Sequence, residues 1–259
     1  MTRVGIIGGS GLENPEILKS PEEINIDTPY GATSSPLLSG SLNGTEIIIL
    51  SRHGRLHTIP PSKVNNRANI FALKEAGCTH LLTTTACGSL REEIGRGDLI
   101  VPDQFIDFTR HRDITFYEKF EPGNMNHTPM ADPFDKNLRE IIISAADRIG
   151  LSIHKKGTLL TIEGPRFSTR AESKMFRIWG ADLVNMSVAP EVALANEICL
   201  PYAAIAMSTD YDCWKDDESP VTWEEVISVF NRNVNNVLQL LREVIPSIKY
   251  RSSLKNLRP

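Results

Sequence analysis

Six short, near-continuously apolar runs punctuate the chain: Val4 to Ile7, Glu46 to Leu50, His80 to Thr84, Asp98 to Val101, Gly157 to Ile162 and Tyr202 to Met207. Such runs, with little polar alternation, predict strands buried on both faces of a sheet. Helical periodicity separates many of them. Asp132 followed by Pro133 predicts a helix start, and Leu138, Ile141, Ile142, Ala145 and Ile149 repeat at helical spacing until Gly150. Thr222 and Glu225 stand in capping-box spacing before a second stripe, Val226, Phe230, Val234, Val237, Leu241 and Val244, which runs to Pro246. This long late helix is expected to pack on the sheet.

The pattern predicts one α/β domain over residues 1–250, followed by a polar tail, 251–259. No internal repeat or low-complexity tract divides it, and apart from the tail only Thr28 to Pro36 reads as linker-like. Arg110 to Met130, with Phe116, Tyr117, Phe120, Pro122, Gly123 and His127, predicts a long irregular segment. In a compact domain such a segment serves as a lid or an interface, and its aromatic content favours the interface.

Composition narrows the partners. With 259 residues, 41% of them hydrophobic, the chain can bury a substantial core, and a net charge of -4 supplies no basic field for nucleic acid. A small molecule is the expected partner. Cys78, Cys87, Cys199 and Cys213 show no CxxC spacing, which predicts reduced thiols and no zinc site. The N-terminus has no secretory pattern, and no run approaches the roughly 18 apolar residues of a membrane helix, so a soluble, cytoplasmic protein is expected.

The chemistry-bearing residues gather at predicted strand ends, where open α/β sheets bind ligands. After the first strand come Gly8, Gly9, Ser10 and Gly11, whose backbone can approach an anion while Ser10 offers a hydroxyl. This is no dinucleotide fingerprint, since Asn14 stands where its third glycine would fall, and the lysine of a Walker loop is absent. After the second run the chain reads Ser51, Arg52, His53, Gly54, Arg55, Leu56, His57, a density of guanidinium and imidazole that suits a phosphate or carboxylate. Thr83, Thr84, Thr85, Ala86, Cys87, Gly88 and Ser89 add hydroxyls and backbone amides to the same rim.

Two further segments, Glu163 to Ser168 and Asn185 to Glu191, place Phe167 to stack on a planar base, Met186 to lie against a sugar and Ser187 to reach an anion. Tyr202 to Met207 then stops in Ser208, Thr209, Asp210, Tyr211, Asp212. Two acids two residues apart at a strand end are expected to point the same way, either capping a turn or facing a ligand. Together the strand ends outline a cavity for a base, a sugar and a phosphate.

Gly5 to Leu12, Ser51 to Arg55, Thr83 to Leu90, Glu163 to Ser173, Asn185 to Glu191 and Thr209 to Trp214 resemble signature segments of the 5'-methylthioadenosine phosphorylases, within the trimeric purine nucleoside phosphorylase family. The similarity runs from about Arg3 to Ile245. It implies a single α/β domain with a mixed central sheet flanked by helices, assembled as a homotrimer. It also implies phosphate-dependent cleavage of 5'-methylthioadenosine to adenine and 5-methylthioribose 1-phosphate, with inorganic phosphate as co-substrate and no metal or other cofactor. By that resemblance phosphate is held by Ser10, Arg52, His53, Thr85, Ala86 and Ser187, and the ribose lies on Met186. Phe167, Ser168, Thr209, Asp210 and Asp212 meet the purine, with Asp210 and Asp212 as the catalytic acids. His127 resembles the residue that the family supplies to a neighbouring subunit's site.

The 5' pocket is where this sequence departs from its relatives. The matching positions are Trp223, Val226 and Ile227, and Trp223 replaces a smaller residue. Its bulk either narrows the pocket or serves as a helix-start staple. Two other functions compete at this point: a purine nucleoside phosphorylase with broader or 6-oxopurine range, and a purine-binding module without turnover. Asp210, Arg52 and His53 count against the second.

Overall fold

The apolar runs pair into one mixed sheet in the computed structural model, which describes residues 1–9, 18–216 and 222–249. Ser10 and the tail 251–259 lie outside the described residues. Eleven strands form it: β1 (Arg3–Gly8), β2 (Lys19–Ile24), β3 (Leu37–Leu42), β4 (Thr45–Ser51), β5 (His80–Ser89), β6 (Leu99–Ile100), β7 (Gln104–Phe108), β8 (Ile153–His154), β9 (Thr158–Ile162), β10 (Leu183–Asn185) and β11 (Tyr202–Asp210). They are ordered β2-β3-β4-β1-β5-β10-β9-β7, with β11 pairing β5 and β6, and β6 pairing β8.

Five α-helices cover this sheet among the described residues: α1 (Asn66–Glu75), α2 (Lys136–Arg148), α3 (Arg170–Ile178), α4 (Val188–Glu197) and α5 (Trp223–Val244). Period-two alternation assigns the faces. Ala203, Ile205 and Met207 of β11 pack with Leu138 and Ile142 of α2 and with Phe230 and Val237 of α5. Tyr202, Ala204 and Ala206 pack on the other face with Ile70 and Leu73 of α1 and Val188 and Val192 of α4. All nine positions of β11 are buried, which explains the unbroken apolar run from Tyr202 to Met207.

Some elements carry weaker patterns. β2 contains Pro21 and pairs only β3, the edge position where a missing N–H is tolerated. β3 is interrupted by Ser39, Gly40 and Ser41, and β8 and β10 are too short for a period to show. Thr28 to Pro36 does not act as a linker, because Asn65 Nδ2 donates to the Tyr30 carbonyl at 2.7 Å and Asn69 Oδ1 accepts from Ser34 N at 2.8 Å.

The first predicted helix begins later than Asp132–Pro133 suggests. Asp135 is its N-cap and accepts from Leu138 N at 2.7 Å, while Asp135 N donates to the Tyr202 carbonyl at 2.8 Å. Thr222 caps α5 in the reciprocal arrangement that its spacing with Glu225 predicts.

What positions the cavity is β5. One of its edges pairs β11 from Leu81 to Gly88; the other pairs β1 over His80 to Thr83 and then β10 at Gly88 and Ser89. Between those partners, Thr84 to Cys87 face no strand, so backbone polar groups are left to other partners. Replacing Asp135 with Ala removes the α2 cap and is expected to cost about 1 kcal/mol in chemical denaturation. An unchanged midpoint would show that the Leu138 amide finds another acceptor.

Candidate active site

A cavity of about 770 Å³ opens at the gap in β5, within the range of about 300–1,000 Å³ usual for small-molecule sites. Arg52, His53, Thr85, Ala86, Phe167, Ser168, Met186, Ser187, Thr209, Asp210, Asp212, Trp223 and Val226 all line it. Of the other sequence candidates, Ile227 is not among the lining residues: one step past Val226 on α5, it turns away around the helix. His127 does not line the cavity either, and its ring lies 5.8 Å from that of Phe120 in the irregular segment.

The anion end rests on a buried charge network. Arg52, 2% exposed, pairs through Nε with Glu191 at 2.5 Å and donates through Nη1 to the Thr84 carbonyl at 3.1 Å. Its Nη2 reaches Thr83 Oγ1 and Glu191, and Tyr202 donates to Glu191 at 2.6 Å. Burial pushes the Tyr202 phenol well above its ordinary range, so it stays a donor to the carboxylate. His53 Nδ1 lies 2.9 Å from the Ile59 carbonyl, which can only accept, so that nitrogen carries the proton and the ring is oriented.

Thr85 and Ser187 face each other at 3.2 Å, and the Asn185 amide donates to both, at 3.2 and 3.4 Å. Thr161 fixes that amide by donating to Asn185 Oδ1 at 2.7 Å. Ser187 is the N-cap residue of α4, yet its hydroxyl makes no cap bond and turns to this cluster instead. The start of α4 thus adds the positive end of a helix dipole to a ring of hydroxyls and amides, a suitable seat for an anion.

The acid end departs from the expected straight strand. β11 carries a bulge between Ser208 and Asp210, with Thr209 as the extra residue, and Asp212 sits beyond the strand at a left-handed φ of 49°. Both acids still line the cavity, joined because Asp210 Oδ1 accepts from Asp212 N at 2.7 Å. Thr209 donates to Asp210 Oδ2 at 2.8 Å. Burial pushes the Asp210 carboxyl above its usual value; the Thr209 hydroxyl, the Asp212 amide and Arg96 pull down, and the Asp212 charge adds to the rise. Burial raises Asp212 as well, with the Ser173 and Ser168 hydroxyls acting the other way. Gly88 makes the packing possible, since a Cβ there would stand 2.8 Å from Asp210 Oδ1.

Two supports hold the rest of the wall. Glu163 accepts from the Arg110 amide at 2.7 Å, the His111 amide at 3.2 Å and Arg112 Nε at 2.8 Å. Burial acts against it, yet these donors hold its carboxyl below the ordinary range. Arg112 also donates to the carbonyls of Glu163 and Met186, at 2.5 and 3.3 Å, tying the irregular segment to the cavity wall. At the mouth, His53 and His57 have ring centroids 4.6 Å apart, and His57 and Trp223 5.3 Å, so Trp223 closes a three-ring ladder.

From the sequence, Glu191, Asn185 and Thr161 carry no assigned role. Glu191 and Asn185 fall inside a segment already singled out, and an acid within an otherwise apolar stretch was the available signal. Thr161 reads as one more strand residue; the basic cluster Arg110, His111 and Arg112 reads as able to serve a small anion, whereas in the structure it holds Glu163. Among the described residues no group of three or more His, Cys, Asp and Glu is placed to hold a metal ion.

Fold and cavity together define an α/β protein in which one pocket joins a cluster of anion donors to a pair of buried acids. The chain belongs to the phosphorylase superfamily, whose family model matches residues 3–246. S-methyl-5'-thioadenosine phosphorylase of Xenopus tropicalis is 52% identical over 250 residues, covering 95% of this chain and 89% of its own length. The enzyme of the same name from Danio rerio is 52% identical over 248 residues, with the same coverage. Methylthioadenosine phosphorylase from Schistosoma mansoni, solved with adenine, superposes with a TM-score of 0.90 at 42% identity, over 95% of this chain and 92% of that one. A mutant of the Schistosoma enzyme, solved with methylthioadenosine, gives 0.88 at 41% identity, over 95% of this chain and 91% of that one.

The Arg52 network makes a prediction about stability. Glu191→Ala strands a buried guanidinium and is expected to cost about 3–5 kcal/mol. Tyr202→Phe removes one hydrogen bond and is expected to cost about 1 kcal/mol. Equal losses in urea denaturation would show that the ion pair is not what holds Arg52.

Proposed function

We propose that this chain cleaves 5'-methylthioadenosine with inorganic phosphate, releasing adenine and 5-methylthioribose 1-phosphate. The observation that carries this reading is a single cavity with two buried, upward-shifted acids and, also on its wall, a cluster of anion donors. The relatives' names and the Schistosoma complexes with adenine and methylthioadenosine support it over a 6-oxopurine enzyme.

In this reading phosphate sits among Arg52, His53, Thr85, Ala86 and Ser187 at the start of α4, with Ser10 as a further donor. The ribose lies on Met186, and the purine lies against Phe167 with its polar edge toward Ser168, Thr209, Asp210 and Asp212. A phosphate oxygen bonds to the anomeric carbon as the bond from that carbon to N9 breaks through an oxocarbenium-like state. Asp210 gives its proton to N7, neutralising the charge that builds on the base. Asp212 holds Asp210 through its backbone amide and reads the amino edge. The methylthio group meets Val226, His57 and Trp223, an apolar mouth better suited to it than to a hydroxyl.

We further propose a homotrimer in the cytoplasm, in which the Arg110 to Met130 segment lies at the subunit interface and His127 completes a neighbour's site. The exposed Ile114, Phe120 and Met125 of that segment support a covered surface there. No helix among the described residues is long and apolar enough to cross a membrane.

Incubation with methylthioadenosine should release adenine only when phosphate is present; phosphate-independent release would make the chain a hydrolase. As a donor with a raised pKa, Asp210 is active below that value, so turnover should fall as pH rises through it. Asp210→Asn should flatten this alkaline limb and shift preference toward 6-oxopurine nucleosides by about 10–100-fold, equivalent to about 1–3 kcal/mol. Unchanged adenine preference would remove Asp210 from its role. Sedimentation should give a trimer, and His127→Ala should raise the KM for the nucleoside; a monomer at micromolar concentration would remove both claims.

A further inference from the structure

We propose that a second, smaller cavity returns to Asp210 the proton it gives up in each turnover, with Arg96, Glu225 and Ser228 as its open rim and the Thr209 hydroxyl as the last relay. This inference rests on the phosphorolysis reading above. The cavity holds about 230 Å³ and is lined by Arg96, Thr209, Asp210, Glu225, Ser228 and Val229. It shares only Thr209 and Asp210 with the substrate cavity. Those two are 1% and 6% exposed, whereas Arg96, Glu225 and Ser228 lie at the surface. Val229 makes part of the cavity wall apolar, but the polar side chains of Arg96, Glu225 and Ser228 stand at its rim and those of Thr209 and Asp210 inside it, and its volume takes several waters at about 30 Å³ each.

Such a passage reaches Asp210 while the base still occupies the substrate cavity. Each cycle moves one proton from Asp210 to the departing base, while the phosphate, on forming the sugar ester, sheds one at the anion end. No net proton is consumed, but the two events occur at separate ends of the substrate cavity. While the base is seated, it covers the acids on that side. Asp212 shares the shortage, being raised by the same burial. The Cys87 thiol is no source: burial pushes it well above its ordinary value, and it donates to the Met207 carbonyl at 3.2 Å.

Thr209 is suited to the relay. As the extra residue of the β11 bulge it touches both cavities, and its hydroxyl already donates to Asp210 Oδ2 at 2.8 Å. It passes that proton to the ionised carboxylate and takes another from a water in the smaller cavity, so its own state is unchanged. The charged groups around Asp210 are then Asp212 from the following turn, Cys87 from β5, Arg96 from the connection to β6 and Glu225 from α5. Arg96 counters the rise in Asp210, which keeps the carboxyl able to release its proton.

Two variants block the passage without touching the substrate cavity: Ser228→Trp at the rim and Val229→Phe on the wall. With enzyme in excess and equilibrated at a pH where Asp210 is protonated, the first turnover should stay within about twofold of the parent, whereas steady-state kcat should fall about tenfold or more. A burst of one adenine per site should precede the slow phase. Steady-state kcat unchanged in both variants would overturn the proposal, and so would a parallel loss in the first turnover and the steady state. Failure of the underlying reading is separate, since the parent would then release no adenine with phosphate.

Discussion

A guanidinium as deeply buried as that of Arg52 cannot keep its charge in the interior without a counter-charge and a full set of acceptors. Glu191 of α4 and two neighbours on β5, the Thr83 hydroxyl and the Thr84 carbonyl, supply them. The pair joins the end of β4 to α4 and, through Thr83 and Tyr202, to the two central strands. Such a pair adds little net stability, because desolvation offsets much of the attraction. What it contributes is position: α4 cannot slide along the sheet without stranding a charge, so its N-terminus stays aimed at the cavity.

The gap in β5 follows from the same arrangement. β1 ends at Gly8 and β10 begins to pair only at Gly88, which leaves Thr84 to Cys87 between them. A buried strand edge without a neighbour must find other partners. The Arg52 side chain takes the Thr84 carbonyl, and Thr84 Oγ1 accepts from Gly9 N at 3.4 Å. Gly9 has no Cβ, and one placed there would come within 2.9 Å of Arg52 Nη1. This end of the cavity is therefore the space that remains after the sheet's own polar groups have been satisfied.

This explains which features the sequence made legible. β1, β4, β5 and β11 are buried on both faces, so their composition alone marks them, and the residues at their ends are named by position. The capping box of Thr222 and Glu225 is local and reads directly. Glu191, Thr161 and Arg112 could not be assigned that way, because their roles depend on long-range pairing: Glu191 meets a residue 139 positions away, and Arg112 one 51 away. β2, β8 and β10 owe their existence to neighbours, and nothing in two to six residues announces that. Ile227 shows the limit from the other side: transfer by matching position places it beside the pocket, and the helical turn carries it out.

The acid pair shows how a bulge and a turn can bring two acids to one cavity without the strand alternation that their spacing suggests. On a regular strand Asp210 would point with Ser208, and β11 carries it past that register by placing Thr209 as an extra residue against β5. The left-handed turn at Asp212 then folds the chain back, so that its amide bonds to the acid two residues earlier. Aspartate tolerates this backbone better than most side chains, because its short polar group bonds locally. Gly88 supplies the space and Thr209 the hydroxyl. Both acids therefore reach one cavity through a bulge and a turn rather than through strand alternation, and burial there raises both carboxyls.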